Sequence, residues 1–219
     1  MTANRPSHHP GCELLMDYAS GALPEPVALL VATHASLCRD CQAEIGRLES
    51  LGGALIESLD AEPLDSAALD RALARLEVPE TRQGAAEQAA GGDPRVPQPL
   101  RGYIAKRLDE LAWKRRGSVE EFSLLAGHPG IKTRLLRIQG GTALPQHTHE
   151  GSEYTLLLAG GFSDATGHYL CGDVAVADAD IDHRPIADPG EDCLCLAVTD
   201  APLRLTGRFG RYFNFIARL

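Results

Sequence analysis

The stretch that decides the fold is residues 141–160, "GTALPQHTHEGSEYTLLLAG". Its three ligand-type side chains, His147, His149 and Glu153, are all odd-numbered. On extended backbone, where successive side chains alternate, they face one side of a sheet. Glu150, the nearer carboxylate, points the other way. Two imidazoles and a carboxylate that converge, joined by a third imidazole, suit zinc, iron, manganese or nickel.

The surroundings agree with a β context. "VEEFSLLAG", "IKTRLLRIQ", "SEYTLLLAGG", "DVAVADA" and "CLCLAVTD" are short β-rich runs broken by glycine, proline and aspartate, the pattern of a sandwich or barrel. The spacing G-x5-H-x-H-x3-E-x6-G, Gly141 through Gly160, resembles the first cupin motif at every fixed position. The second, G-x5-P-x-G-x2-H-x3-N, maps onto "GDVAVADADIDHRPIA", with Gly172 and His183 in register and Asp178, Asp180 and Ala187 at the Pro, Gly and Asn positions. The resemblance implies a metal-binding barrel with His183 as fourth ligand and a changed turn before it.

The N-terminal part has a different period. "CELLMDYASG" predicts a short helix stopped at Gly21, and "PEPVALLVATHASLC" a second, with Val27, Leu30, Val31 and His34 on one stripe and Pro24 in its first turn. Cys41, Ile45, Leu48 and Leu55 continue at helical spacing through a third. "DSAALDRALARLE" predicts a fourth, with Ser66 as N-cap. Four short helices offer a thin core, for which a metal staple is useful.

Such a staple is visible in "VATHASLCRDCQAE", residues 31–44. His34, Cys38 and Cys41 share a helical face, or converge if the chain turns at the cysteines. Thiolate and imidazole suit tetrahedral zinc. A redox Cys-x-x-Cys would follow a strand in a βαβ unit, a context absent here. The fourth ligand comes from elsewhere: His9, with His8 and Cys12 as rivals. "HASLCRDC" between two helices, with a histidine near the N-terminus, resembles the zinc-binding anti-sigma domain. The matching positions are His9, His34, Cys38 and Cys41.

Residues 77–99, with four prolines and three glycines, read as a linker. The expected organisation is therefore α+β and multidomain: a four-helix zinc module over 1–80, a linker over 81–99, and a cupin-like sandwich or barrel over 100–219. Residues 1–99 carry a net charge of −8 and residues 100–219 a net charge of −1. Phosphates would repel the acidic half, which argues against direct nucleic-acid binding and leaves a basic protein surface as the fitting partner. The start of the chain holds no apolar run suited to a signal peptide. "PVALLVATHASL" is too short for a bilayer, which needs about 20 apolar residues. The expected location is the cytoplasm, where paired cysteines bind metal more often than they cross-link.

Zinc module, linker and cupin in that order resemble the ChrR family of cytoplasmic anti-sigma factors, with "VATHASLC", "DPRVPQPL" and "TDAPLR" as further points of agreement. The resemblance implies a non-enzymatic repressor in a 1:1 complex with an ECF, sigma-E-like sigma factor, released under singlet oxygen or related oxidative stress. It implies Zn2+ in the helical module and a second Zn2+ or other divalent transition metal in the cupin, with no catalytic residue. The alternative is a metal-dependent cupin dioxygenase or isomerase with a zinc-binding appendage. His128 and His168 read as exposed loop residues, Trp113 and Tyr154 as packing. Cys193 and Cys195 face one side of a strand, as small core hydrophobes or, beside a metal, as oxidisable thiols.

Overall fold

The computed structural model describes residues 5–76, 93–104 and 106–207. Four helices come first: α1 (Cys12–Ala19), α2 (Glu25–Leu37), α3 (Arg39–Glu57) and α4 (Ala68–Leu76). Gly21, in left-handed conformation at φ 73°, ends the first of them. Pro24 sits just before α2, at its N-cap, and Pro26 occupies the first turn, where a missing N–H costs nothing. At the start of α4 the side chain that takes an N–H is Asp65, bonded to Ala67, rather than Ser66. A carboxylate two residues back closes the same turn more strongly than a hydroxyl.

The short helix α5 (Gln98–Arg101) and a 3-10 turn over Leu108–Glu110 lead into the β region. There β1 (Lys114–Arg116), β2 (Val119–Leu124), β3 (Lys132–Ile138), β5 (Glu153–Ala159), β8 (Val174–Ala177) and β10 (Cys193–Thr199) form an antiparallel six-stranded sheet in the order β1-β2-β3-β10-β5-β8. A second layer holds β6 (Gly161–Ser163), β7 (His168–Leu170) and β9 (Ile186–Ala187) in the order β7-β6-β9, and the pair β4 (His147–His149) with β11 (Leu203–Leu205).

Strand β10 is buried at every position, and its alternation sorts side chains between two cores. Leu194, Leu196 and Val198 join Leu135 and Leu156 in a core that also takes Val27, Leu29 and Leu30 from α2 and Leu100 from α5. Cys193 and Cys195 face the other way, with Leu157, Phe162 and Tyr169. The irregularity lies in the partner strand: Leu194 pairs with Ala159 but Cys195 with Leu157, so β5 carries a bulge at Leu158 while β10 runs unbroken. One face of the six-stranded sheet is thus covered by helices and the other by the small sheets. Burying each such leucine contributes about 1.5–3 kcal/mol, so the helical segment is part of the main core. A third cluster, with Leu15, Val31, Cys38, Cys41 and Ile45, lies between α1, α2 and α3.

Among the described residues no helix is long and apolar enough to cross a membrane. The outer helices have little to pack on. Helix α4 buries none of its residues, and Leu69, Leu73 and Leu76 are 68%, 51% and 80% exposed.

Candidate metal centres

Helix α2 ends at Leu37, and Cys38 is extended (φ −121°, ψ 108°) before α3 starts at Arg39. The chain therefore turns at the cysteines, the second of the two routes open from the sequence. His34 from the last turn of α2 and Cys41 from the first turn of α3 point into the angle between the helices, with Cys38 at its apex. His9 arrives from the segment ahead of α1. One donor atom from each of His9, His34, Cys38 and Cys41 lies within 4.8 Å of the others. Individual separations are 3.2 Å (His34 Nε2 to Cys41 Sγ), 3.4 Å (His9 Nδ1 to Cys38 Sγ) and 3.5 Å (His9 Nδ1 to Cys41 Sγ). A tetrahedron with ordinary Zn–S and Zn–N bonds has S···N edges of roughly 3.5 Å. The soft S2N2 donor set and its spacing fit zinc.

Side-chain chemistry favours the same reading. His34 Nδ1 is 2.8 Å from the carbonyl of Gly172, which can only accept, so this nitrogen carries the proton and Nε2 turns a lone pair to the thiols. Burial, chiefly, lowers the His34 pKa and keeps the ring neutral. The Cys41 thiol is pushed up to about 12 by burial and by the neighbouring Cys38. Without a cation it stays protonated, and a bound cation would supply the charge that a thiolate needs. His8 faces elsewhere, with its ring 4.4 Å from that of Tyr169. Cys12 is exposed and is not one of the four.

The second centre forms where β4 meets the loop before β9. His147 and His183 exchange both backbone hydrogen bonds, at 3.0 and 2.9 Å, which sets the two side by side. His147 and His149 lie on the same, buried face of β4, as their parity requires. The Nε2 atoms then converge: 3.1 Å between His183 and His147, 3.2 Å between His149 and His183. Nδ1 of His147 donates to the Pro145 carbonyl at 2.8 Å, and Nδ1 of His183 to Asp164 at 2.7 Å. Two of the three Nε2 atoms therefore direct lone pairs at one point, an arrangement that is repulsive until a cation sits there. Burial lowers the pKa of His147 and of His149, so both rings are neutral and able to ligate.

Glu153 approaches from beside the three imidazoles, with Oε2 3.1 Å from His149 Nδ1. Neither of these two buried atoms has a well-aligned hydrogen bond. The parity that linked Glu153 to the histidines does not run unbroken. Strand β4 stops at His149, the chain turns through Gly151 and Ser152, and Glu153 opens β5 in the other sheet. It nevertheless lines the same cavity as His147 and His183, with Leu136, Phe162 and Cys195. The loop before His183, where the Pro and Gly of the motif are missing, is closed by Asp178: its side chain accepts the N–H of Asp180 at 3.0 Å and its carbonyl that of Ile181 at 3.2 Å. An Asx turn thus does the work of the absent residues.

Trp113 and Tyr154 pack against the main core. His128 bonds Glu25 at 2.9 Å and His168, which opens β7, bonds Asp188 at 2.7 Å. Cys193 and Cys195 are buried. The Cys195 thiol is raised well above its usual pKa, first by its bond to Cys193 and then by burial, so at neutral pH it is a protonated core thiol lining the cavity. Sequence reasoning missed Asp164, Gly172 and Asp173, which orient the two clusters. Only Gly172, fixed by the motif, carried a signal.

Residues 102–202 match the model of the ChrR cupin-like domain. Over 198 residues, 90% of this chain and 91% of the other, the sequence is 43% identical to the anti-sigma-E factor ChrR of Cereibacter sphaeroides. The chain belongs to the ChrR family. In three dimensions it resembles ChrR from the crystal structure of Rhodobacter sphaeroides SigE in complex with the anti-sigma ChrR, with a TM-score of 0.78 and 40% identity over 88% of this chain and 98% of that one.

Proposed function

We propose that this chain is an anti-sigma factor, which binds an ECF sigma factor of the sigma-E type one to one and releases it under singlet oxygen or related oxidative stress. Its 43% identical relative is named an anti-sigma-E factor, and the related crystal structure holds the sigma factor SigE. The observation in this chain that carries the reading is α4 and the end of α3. Leu55 and Ile56 (62% and 71% exposed) and the three leucines of α4 present apolar stripes that nothing in the described fold buries. Amphipathic helices with an unused apolar face are suited to lie in a partner's groove. The acidic N-terminal half adds attraction for the basic surfaces of a protein that handles DNA.

The division of labour proposed is sigma binding by residues 1–80, a connector over 81–99 and sensing by 100–219, all in the cytoplasm. His9, His34, Cys38 and Cys41 hold zinc, whose binding energy tightens the angle between α2 and α3. His147, His149, Glu153 and His183 hold a second divalent transition ion. No turnover is needed. The cavity beside that second centre, about 50 Å³, falls far below the ~300–1,000 Å³ of pockets for larger substrates. That size suits a small oxidant better than the substrate of a cupin dioxygenase or isomerase.

The test is co-expression with candidate ECF sigma factors, followed by affinity capture and a sigma-dependent reporter. The full chain is expected to capture one sigma factor and silence its promoter, and a chain lacking residues 1–85 to do neither. A full chain that captures none of them overturns the reading.

A further inference from the structure

The helical metal cluster is completed from outside the helices. Gly172, whose carbonyl accepts the His34 Nδ1–H, lies in the turn between β7 and β8. The same turn grips the segment that carries His9. Asp173 Oδ1 accepts the N–H groups of Ser7 and His8 at 2.6 and 3.0 Å, Oδ2 accepts that of Leu170 at 2.8 Å, and Val174 N–H donates to the His8 carbonyl at 3.1 Å. Gly172 is left-handed at φ 94°, and a Cβ there would stand 2.7 Å from Pro6 Cγ. Two of the four donor residues, His9 and His34, are thus positioned by residues 170–174.

From this turn a contiguous path leads to the other cluster. The His8 ring packs on Tyr169, and the Tyr169 hydroxyl is 2.9 Å from Thr166 Oγ1. Thr166 donates to Asp164 Oδ1 through its N–H at 2.8 Å and its hydroxyl at 2.5 Å, and Asp164 Oδ2 takes the Nδ1 proton of His183 at 2.7 Å.

The geometry points to the β7–β8 turn as the outer shell of the N-terminal metal site, and to Asp164, Thr166, Tyr169 and His8 as the route by which occupancy of the cupin site sets how firmly the helical site holds its ion. This rests on the reading of both clusters as metal sites. Groups that fix the tautomer and orientation of a ligand are worth about 10–100-fold in metal affinity. A coupling between two binding sites is also reciprocal. Contact alone is no proof of coupling, so the test is a thermodynamic cycle.

Zinc affinity at the helical site is measured in the full chain by competition with a chromophoric chelator, with alkylation of Cys38 and Cys41 reporting which ion leaves. Asp173→Asn, which keeps the volume but loses acceptor strength, is expected to weaken the helical site about 10–100-fold. Loss of the cupin ligands in His147→Ala/His149→Ala is expected to weaken it severalfold, and Tyr169→Phe, which keeps the ring contacts and removes only the hydroxyl, to cancel that second effect. A folded Asp173→Asn chain with affinity within twofold of wild type overturns the outer-shell role. Should that variant not fold, the Tyr169→Phe cycle decides: equal coupling with and without the hydroxyl overturns the route. Wild-type protein with no ion at Cys38 and Cys41 overturns the metal-site reading itself, and this inference with it.

Discussion

Asp164 and His183 form a buried pair, Oδ2 to Nδ1 at 2.7 Å, with the Asp164 side chain 1% exposed. Burial works against the Asp164 charge, but hydrogen bonds from Thr166 and His183 outweigh it and hold the pKa below the usual carboxylate value. The carboxylate therefore accepts the Nδ1–H of His183, fixes that tautomer and leaves the Nε2 lone pair facing His147 and His149. Asp164→Ala should accordingly weaken metal binding in the cupin half by about 10–100-fold while the far-ultraviolet circular dichroism stays native. Metal content after dialysis against a graded chelator series checks this, and undiminished retention would count against the pair as an orienting device.

Cys38 and Cys41 sit in the core formed by α1, α2 and α3, beside Leu15, Val31 and Ile45. The double variant Cys38→Ala/Cys41→Ala should lose one equivalent of zinc and loosen the three helices, because binding energy at a structural zinc is folding energy. Capture of the sigma factor should fall with it. Elemental analysis and amide hydrogen exchange over residues 12–57 give the readout, and full zinc retention would rule the site out.

Leu69 and Leu73 are exposed, so replacing them leaves the folded chain intact. Leu69→Asp/Leu73→Asp should leave the melting temperature within a degree or two of wild type and lower affinity for the sigma factor by roughly 30-fold or more. That is the scale of losing a central contact worth about 2 kcal/mol. Calorimetric titration measures it. Unchanged affinity would move the docking surface off α4.

Most members of the two clusters were legible before any coordinates, for a physical reason: donors that converge on one point stand at fixed spacing, and fixed spacing is what a sequence records. His147 and His149 on one short strand, and His34 with Cys38 and Cys41 across one turn, are local geometry. Glu153 was placed by a parity that the turn at Gly151 and Ser152 interrupts. Its arrival in the cavity depends on how two sheets meet, which no local pattern encodes. The five long strands were readable, whereas β1, β4, β6, β7, β9 and β11 are two or three residues each, too short to show a period. The covering of the sheet by α2 left a trace in "LCLAV", buried on both faces and hence apolar without alternation. Asp164 and Asp173 left none, since a single aspartate in a loop looks like any solvated one.

Asp93 offers a pH test of how the segment before α5 is held. Its buried carboxylate accepts the side chain of Arg95 at 2.6 Å and the N–H of Leu108 at 3.2 Å. The Arg95 bond, foremost, holds its pKa below the usual carboxylate range. A depressed folded-state pKa stabilises the fold at every pH above the ordinary aspartate value of about 3.9, and the effect fades as pH falls through the folded value. Asp93→Ala should thus cost stability at pH 7, about 1–3 kcal/mol of it from the orphaned N–H at any pH, with the part that depends on the carboxylate charge shrinking below about pH 4. Urea titrations at pH 7 and pH 3 check the sign. A deficit that grows on acidification would contradict it.

The cupin centre is expected to sense and not to repress. His147 and His183 line the cavity with Phe162 and Cys195, on the side of the six-stranded sheet away from α2. His147→Ala/His149→Ala should therefore empty the second metal site and leave basal inhibition nearly intact. Release should fail: under singlet oxygen or an organic peroxide the variant is expected to keep its sigma factor bound, and wild type is expected to let go. A release signal must favour the dissociated state through a difference in free energy, and a redox-active or displaceable ion beside a small cavity gives an oxidant a place to create one. The Cys195 thiol lines that cavity but is held protonated by Cys193 and burial. The ion and its imidazoles, rather than the thiol, are thus the expected first point of attack. Cys195→Ser, which keeps the size of the side chain, should then retain most of the response to singlet oxygen. A reporter driven by the partner sigma factor, with metal content measured in parallel, compares the two variants. Normal induction in the metal-free double variant would reduce the cupin to a structural half, and loss of induction in Cys195→Ser alone would place the sensor at the thiol.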